Sequence, residues 1–188
     1  WGLDIMVVAK LARDADEEGG RGLDTFHEYV REAHTFPNGC HIAEVEVDPE
    51  TGAVVLKRYT GADDYGTIIN PMVIEGQVHG AIAQGVGQGL MERTVYEEGS
   101  GQLLSGSFMD YPMPRAADVP SFDLTFNEIA CTTNPLGVKG SGEGGAIAGL
   151  PAIANAVLDA LEPYGVTEMV GPATPENVWR AIQNAAGG

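Results

Sequence analysis

Apolar and polar residues alternate from His41 to Val47, where Val45 and Val47 interleave with Glu44 and Glu46. A period of two sends successive side chains to opposite faces, so this segment is predicted to be a strand buried on one side. Asp48-Pro49-Glu50-Thr51-Gly52 follows. It is turn chemistry, with Pro fixing φ and Gly free to take positive φ. Residues 53–59 are again rich in β-formers, and 41–60 is predicted to be a β-hairpin.

The period changes after Asn70-Pro71, an N-cap residue followed by Pro at the first helical position. From Met72 to Arg93, Ile74, Val78, Ile82, Val86 and Leu90 recur every fourth residue, which predicts a helix with one core face. Gln77, Gln84 and Gln88 line up along a second face, and Gly76, Gly80, Gly85, Gly87 and Gly89 fill much of the remainder. Five interior glycines cost a helix about 5 kcal/mol relative to alanine. The compensation is expected from tertiary contact, since small residues admit another backbone or a flat ligand. Gln84 and Gln88 are expected to satisfy nearby backbone groups. Gln77, near the helix N-terminus where N–H groups favour anions, is the better ligand candidate.

Residues 102–110 are predicted to be a strand and 111–114, Tyr-Pro-Met-Pro, an irregular extended passage. Residues 121–130 alternate Phe122, Leu124 and Phe126 with polar neighbours and are predicted to be another strand. Pro151 fits a first helical turn ahead of Ile153, Ala154, Val157, Leu158 and Leu161. Thr174-Pro175 caps a last helix that carries Val178 and Ile182 inward. At the other end, residues 2–17 have amphipathic helical spacing, and a polar break follows over 16–22. The order mixes helices and strands without regular βαβ alternation, so the fold class is α/β of the mixed α+β kind. We treat residues 1–188 as a single domain. Residue 1 is Trp rather than Met, and the chain is expected to be a piece of something longer.

Composition removes several function classes. The net charge is −17, from 27 acidic against 10 basic residues, and no Lys or Arg run offers a surface to nucleic acid or anionic lipid. Apolar stretches stop well short of the ~20 residues that span a membrane, and a secretory signal pattern is missing. A cytoplasmic location is expected. Cys40 and Cys131 match no zinc or iron–sulfur spacing. His27, His34, His41 and His79 have no partner at ligand spacing, so no metal site is assigned to them. Asp63-Asp64 and Glu97-Glu98 are read as solvated turn charges.

The chemistry concentrates in Asn134-Pro135-Leu136-Gly137-Val138-Lys139-Gly140-Ser141-Gly142-Glu143-Gly144-Gly145. Four glycines between 137 and 144 allow a shaped pocket wall with the main chain close to a ligand. Glu143 then stands at a pocket edge as a candidate catalytic group. A carboxylate after a glycine loop also serves commonly at a surface or as a helix cap, and Lys139 could equally be solvated; the residues alone leave these alternatives open.

Three ordered motifs carry a family resemblance. Gly76-Gln77-Val78-His79-Gly80-Ala81-Ile82-Ala83-Gln84-Gly85-Val86-Gly87, Ser107-Phe108-Met109-Asp110-Tyr111 and the run from Asn134 to Glu143 resemble the C-terminal part of the molybdenum hydroxylase large subunit. This is the xanthine dehydrogenase and aldehyde oxidase superfamily, and the likeness is to its aerobic carbon monoxide dehydrogenase type. It covers residues 36–183, and 1–35 less clearly. The resemblance implies a molybdenum–molybdopterin cofactor, in its cytosine dinucleotide form, in the complete enzyme. It makes Glu143 the general base toward a molybdenum-bound hydroxyl. Gln77 lies beside the molybdopterin, and Lys139, Gly140, Ser141 and Gly142 form backbone that wraps it. Implied partners are the rest of the large subunit, iron–sulfur and FAD subunits, and a small substrate: carbon monoxide, an aldehyde or an N-heterocycle. Most of the cofactor pocket lies upstream in that family, so this chain alone is expected to bind no cofactor. A non-catalytic assembly or binding module that kept the fold is the alternative.

Overall fold

The computed structural model describes residues 4–15, 26–31 and 33–187. The expected polar break at 16–22 lies outside the described residues. Two units are present, residues 1–32 and 33–188. The first contributes α1 (Ile5–Ala15), amphipathic as its spacing predicts and with no buried residue.

The second unit starts with a hairpin longer than expected. β1 (Asn38–Val47) pairs antiparallel with β2 (Val54–Asp64), so both strands run past the predicted 41–60. His41, Ala43, Val45 and Val47 share the inward face of β1. The pairing steps from Glu44↔Arg58 to Val45↔Leu56, leaving Lys57 as a one-residue bulge. That extra residue resets the alternation, which is why Leu56 and Tyr59, three apart, both point into the core. β3 (Asp123–Phe126) adds to β2 in parallel, giving the order β1-β2-β3. It is shorter than the predicted 121–130.

α2 (Pro71–Leu90) begins as the sequence predicts, with the Asn70 side chain accepting from the Val73 N–H. Val78, Ile82, Val86 and Leu90 are buried. α3 (Ala146–Leu161) and α4 (Pro175–Ala186) complete the core with Ile153, Val157, Leu161, Val178 and Ile182. The Thr174 hydroxyl caps α4 at Asn177 N. α3 starts five residues before Pro151, which sits inside the helix rather than near its start. Gly145, with φ 85°, turns the chain out of the loop, and alanines 146 and 148 are strong helix formers that begin the turn at once. Residues 102–110 form no strand; Leu103 makes one isolated bridge to Tyr96, and Ser107 and Asp110 close a local turn at 2.6 Å. With only that bridge for a partner, the alternating pattern there has nothing to build a ladder on.

Three of the five α2 glycines have the expected tertiary reason. A Cβ on Gly85 would stand 2.7 Å from the Gly149 backbone, so α2 and α3 cross in direct main-chain contact. Gly87 faces Pro114 and Glu92, and Gly89 faces Ile153. Gly76 and Gly80 have nothing within 4 Å and are uncompensated among the described residues. Gly85→Ala is expected to lower stability by about 1–3 kcal/mol through overpacking. Gly80→Ala should raise it by up to about 1 kcal/mol through helix propensity. Urea denaturation of the two variants should move the midpoints in opposite directions; a shift of the same sign in both contradicts this packing.

Candidate functional site

The glycine loop is held by the chain that continues β2. Lys139 N donates to the Tyr65 carbonyl at 2.9 Å, Thr67 N donates to the Gly137 carbonyl at 2.9 Å, and Gly66 and Val138 form a bridge. Gly137 accepts a further bond from Cys131 N at 2.8 Å, in a left-handed turn with φ 69°. Asn134 closes the loop from within, its side chain bonded to both the N–H and the carbonyl of Val138.

Lys139 is neither solvated nor turned toward a ligand. Its Nζ lies 2.5 Å from Asp64 Oδ2, with the Lys139 side chain mostly covered and the Asp64 side chain buried. The other Asp64 oxygen accepts from Gly66 N at 2.8 Å and Ile129 N at 3.2 Å. Burial pushes the Asp64 carboxyl up, but the bonds from Lys139, Gly66 and Ile129 outweigh it and hold the group below the usual carboxylate value. Of the expected contacts of Lys139 with a cofactor, only those of its backbone remain open.

Asp63 is likewise no solvated turn charge. Because the hairpin extends beyond residue 60, Asp63 and Asp64 are strand residues on opposite faces, 6% and 4% exposed. Asp63 Oδ1 meets His41 Nε2 at 3.0 Å, and His41 Nδ1 meets the Tyr59 hydroxyl at 2.8 Å. His41 thus has a carboxylate partner 22 residues away, which spacing along the sequence does not show. A signal was present, since His41 shares the inward alternation of Val45 and Val47.

Glu143, Gly142 and Gly140 border a pocket of about 470 Å³ whose other walls include Thr35, His41, Asp63 and Tyr65. Glu143 is exposed at this border, and its carbonyl accepts from Ala146 N at 3.1 Å and Ile147 N at 3.3 Å in the first turn of α3. Gln77 reaches the loop from α2, its Nε2 donating to the Gly142 carbonyl at 2.6 Å. Gln84 and Gln88 are exposed and make no hydrogen bond among the described residues, contrary to the expected backbone contacts. A second cleft of about 630 Å³, between Arg93, Met169 and α4, holds none of the candidate residues.

The loop suits an anionic, oxygen-rich cofactor. Among the described residues the N–H groups of Ser141, Gly142 and Glu143 donate to no acceptor, and a Cβ at Gly142 would meet nothing within 4 Å. Successive free N–H groups beside a helix N-terminus form a ready anion cradle. The structure thus brings Gly140, Gly142 and Glu143 to one border, with Ser141 between them in the chain and Gln77 bonded to Gly142 from α2, and turns the Lys139 amine to Asp64. No group of three His, Cys, Asp or Glu side chains gathers as a metal site among the described residues, and no described helix is long and apolar enough to cross a membrane.

The Lys139–Asp64 pair should be the loop's main anchor. Lys139→Met is expected to cost about 3 kcal/mol by leaving a buried carboxylate uncompensated. The depressed Asp64 value means its stabilisation is present above about pH 4 and is lost as pH falls through the folded-state value. Asp64→Asn should therefore flatten the acid side of the stability profile, measured by urea denaturation between acid and neutral pH; an unchanged slope would exclude the pair as the anchor.

Comparison with known proteins bears on the family. A family model for the molybdopterin cofactor-binding domain matches residues 6–120. The large subunit of nicotine 6-hydroxylase from Paenarthrobacter nicotinovorans is 43% identical over 148 residues, 79% of this chain and 18% of that protein. The carbon monoxide dehydrogenase large chain of Hydrogenophaga pseudoflava is 33% identical over 162 residues, 86% of this chain and 20% of that one. The crystal structure of quinoline 2-oxidoreductase from Pseudomonas putida 86 superposes with a TM-score of 0.75 at 41% identity, covering 78% of this chain and 19% of its own. The chain thus spans about a fifth of the length of these relatives. From the matched residues, the identity to these relatives and the shared architecture, the chain belongs to the molybdopterin cofactor-binding domain family of the molybdenum hydroxylases.

Proposed function

We propose that this chain is the part of a molybdenum hydroxylase catalytic subunit that closes over the cofactor from one side and supplies the general base, Glu143. The observation that supports the reading is Glu143 and Gly142 at one pocket border, with the free N–H run at 141–143 beside them and Gln77 bonded to the Gly142 carbonyl. The molybdenum–molybdopterin group, in its cytosine dinucleotide form, supplies water activation and a two-electron oxidant when bound. The chain's own residues bind and orient. The N–H groups of Ser141 and Gly142 take cofactor oxygens, and Gln77 fixes the Gly142 carbonyl so that the cradle keeps its shape. Gln77 retains its carboxamide oxygen for the cofactor. The Glu143 carboxylate accepts a proton at an Oε atom as the reaction begins.

The substrate we infer is a nitrogen heterocycle. Identity is higher to the nicotine 6-hydroxylase subunit than to the carbon monoxide dehydrogenase chain, 43% against 33%. Iron–sulfur and FAD subunits carry the electrons away, and the remainder of the large subunit completes the pocket. The same reading has this chain alone hold no cofactor.

In the complete enzyme, Glu143→Gln should lower turnover by about 10²–10⁴-fold and leave molybdenum content near normal by elemental analysis. Retained activity with quinoline, benzaldehyde and carbon monoxide alike would sink the assignment. Stoichiometric molybdenum in the purified 188-residue chain would overturn the requirement for the rest of the subunit.

A further inference from the structure

The wall that the glycine loop and α3 give to the Glu143 pocket is nearly bare of side chains. Its members from residues 140–148 are four glycines, Ala148, Glu143 and Ile147. Only Glu143 and Ile147 carry more than a methyl group, so any discrimination this wall makes by shape falls to those two. They are also tied to each other, because Ile147 N donates to the Glu143 carbonyl at 3.3 Å and so stands one turn beyond it at the start of α3.

The fold itself makes no use of the Ile147 side chain. It is 72% exposed and lies outside the core, which α3 reaches through Ile153, Val157 and Leu161. A β-branched residue is also a poorer helix former than the alanines on either side of it. A branched aliphatic group at the rim of a pocket stabilises only when another apolar surface covers it. The pocket, at about 470 Å³, falls within the ~300–1,000 Å³ of small-molecule sites. A general base works within ~2.6–3.2 Å of the proton it takes, which places the reacting end of a substrate at Glu143. The remainder of the substrate then meets the adjoining wall. A diatomic molecule has no remainder to lie there, whereas a ring does.

We propose that Ile147 is a specificity-determining residue of the site, its side chain packing against the ring of a nitrogen heterocycle whose reacting end faces Glu143. The inference rests on the proposed base and substrate class and deepens them. A ring held against an aliphatic side chain is held alike before and during the reaction, so the contact acts on KM and leaves kcat alone.

The test is steady-state kinetics of the complete enzyme with whichever of quinoline and nicotine it oxidises faster, for Ile147→Leu, Ile147→Val and Ile147→Ala. KM should rise from Val to Ala as methyl groups are lost, reaching about tenfold in the alanine variant. The leucine variant, which keeps the volume, should retain most of the affinity. Throughout the series kcat should stay within about twofold of the parent value, with molybdenum content and melting temperature unchanged. An unchanged KM across the series overturns the inference. So does a joint fall of molybdenum content and kcat at constant KM, which is the signature of Ile147 packed against the rest of the subunit instead of substrate. A Glu143→Gln enzyme that remains active removes the base assignment, and a parent enzyme that oxidises neither heterocycle removes the substrate class and this inference with it. The three failures are distinguishable.

Discussion

The candidate site depends on one buried carboxylate. Asp64 gathers Lys139 from the glycine loop, Gly66 from the end of its own strand and Ile129 from the chain that follows β3. Three separate stretches of sequence are tied to one side chain, and the loop between residues 137 and 145 takes its course from that tie. A lone buried carboxylate would be prohibitively costly; here an ammonium and two backbone N–H groups replace the water it loses. The loop can then be rich in glycine, open to a ligand and still fixed in place.

Local signals in the sequence were legible where local physics decides the outcome. Asn70-Pro71 and Thr174-Pro175 start α2 and α4, and the alternation of Val45 and Val47 marks β1. Glu143, Gln77 and the loop glycines could be picked out because their residue types are unusual in their settings. The roles of Asp63, Asp64, His41 and Lys139 could not be read that way. Each depends on a partner 22 or 75 residues distant, and an Asp-Asp pair after a strand reads as surface turn until the hairpin is known to extend past it. The false strand at 102–110 has a related cause: alternation marks a segment able to pair, and whether a partner lies beside it is a tertiary matter.

α2 divides into two halves with different surroundings. Toward its C-terminus the glycines lie against α3, Pro114 and Ile153; toward its N-terminus Gly76 and Gly80 meet nothing, and Gln77 bridges to Gly142. The helix is therefore anchored at one end and presents bare backbone at the other, on the turns that carry the glutamine of the site. That division follows the energetics of glycine: the packed half recovers in contact what it loses in propensity, and the open half does not.

The neighbouring carboxylates on β2 also bear on how the hairpin finds its alignment. Asp63 and Asp64 face opposite ways and answer to different cations or donors, His41 on one side and Lys139 on the other. A slip of one position between β1 and β2 would turn each acid toward the wrong face. Asp63 would then be stranded without the imidazole of His41, the partner that β1 supplies. The His41–Asp63 pair recognises a single alignment and rejects the adjacent ones, so a side chain that lines the pocket also proofreads the fold that contains it.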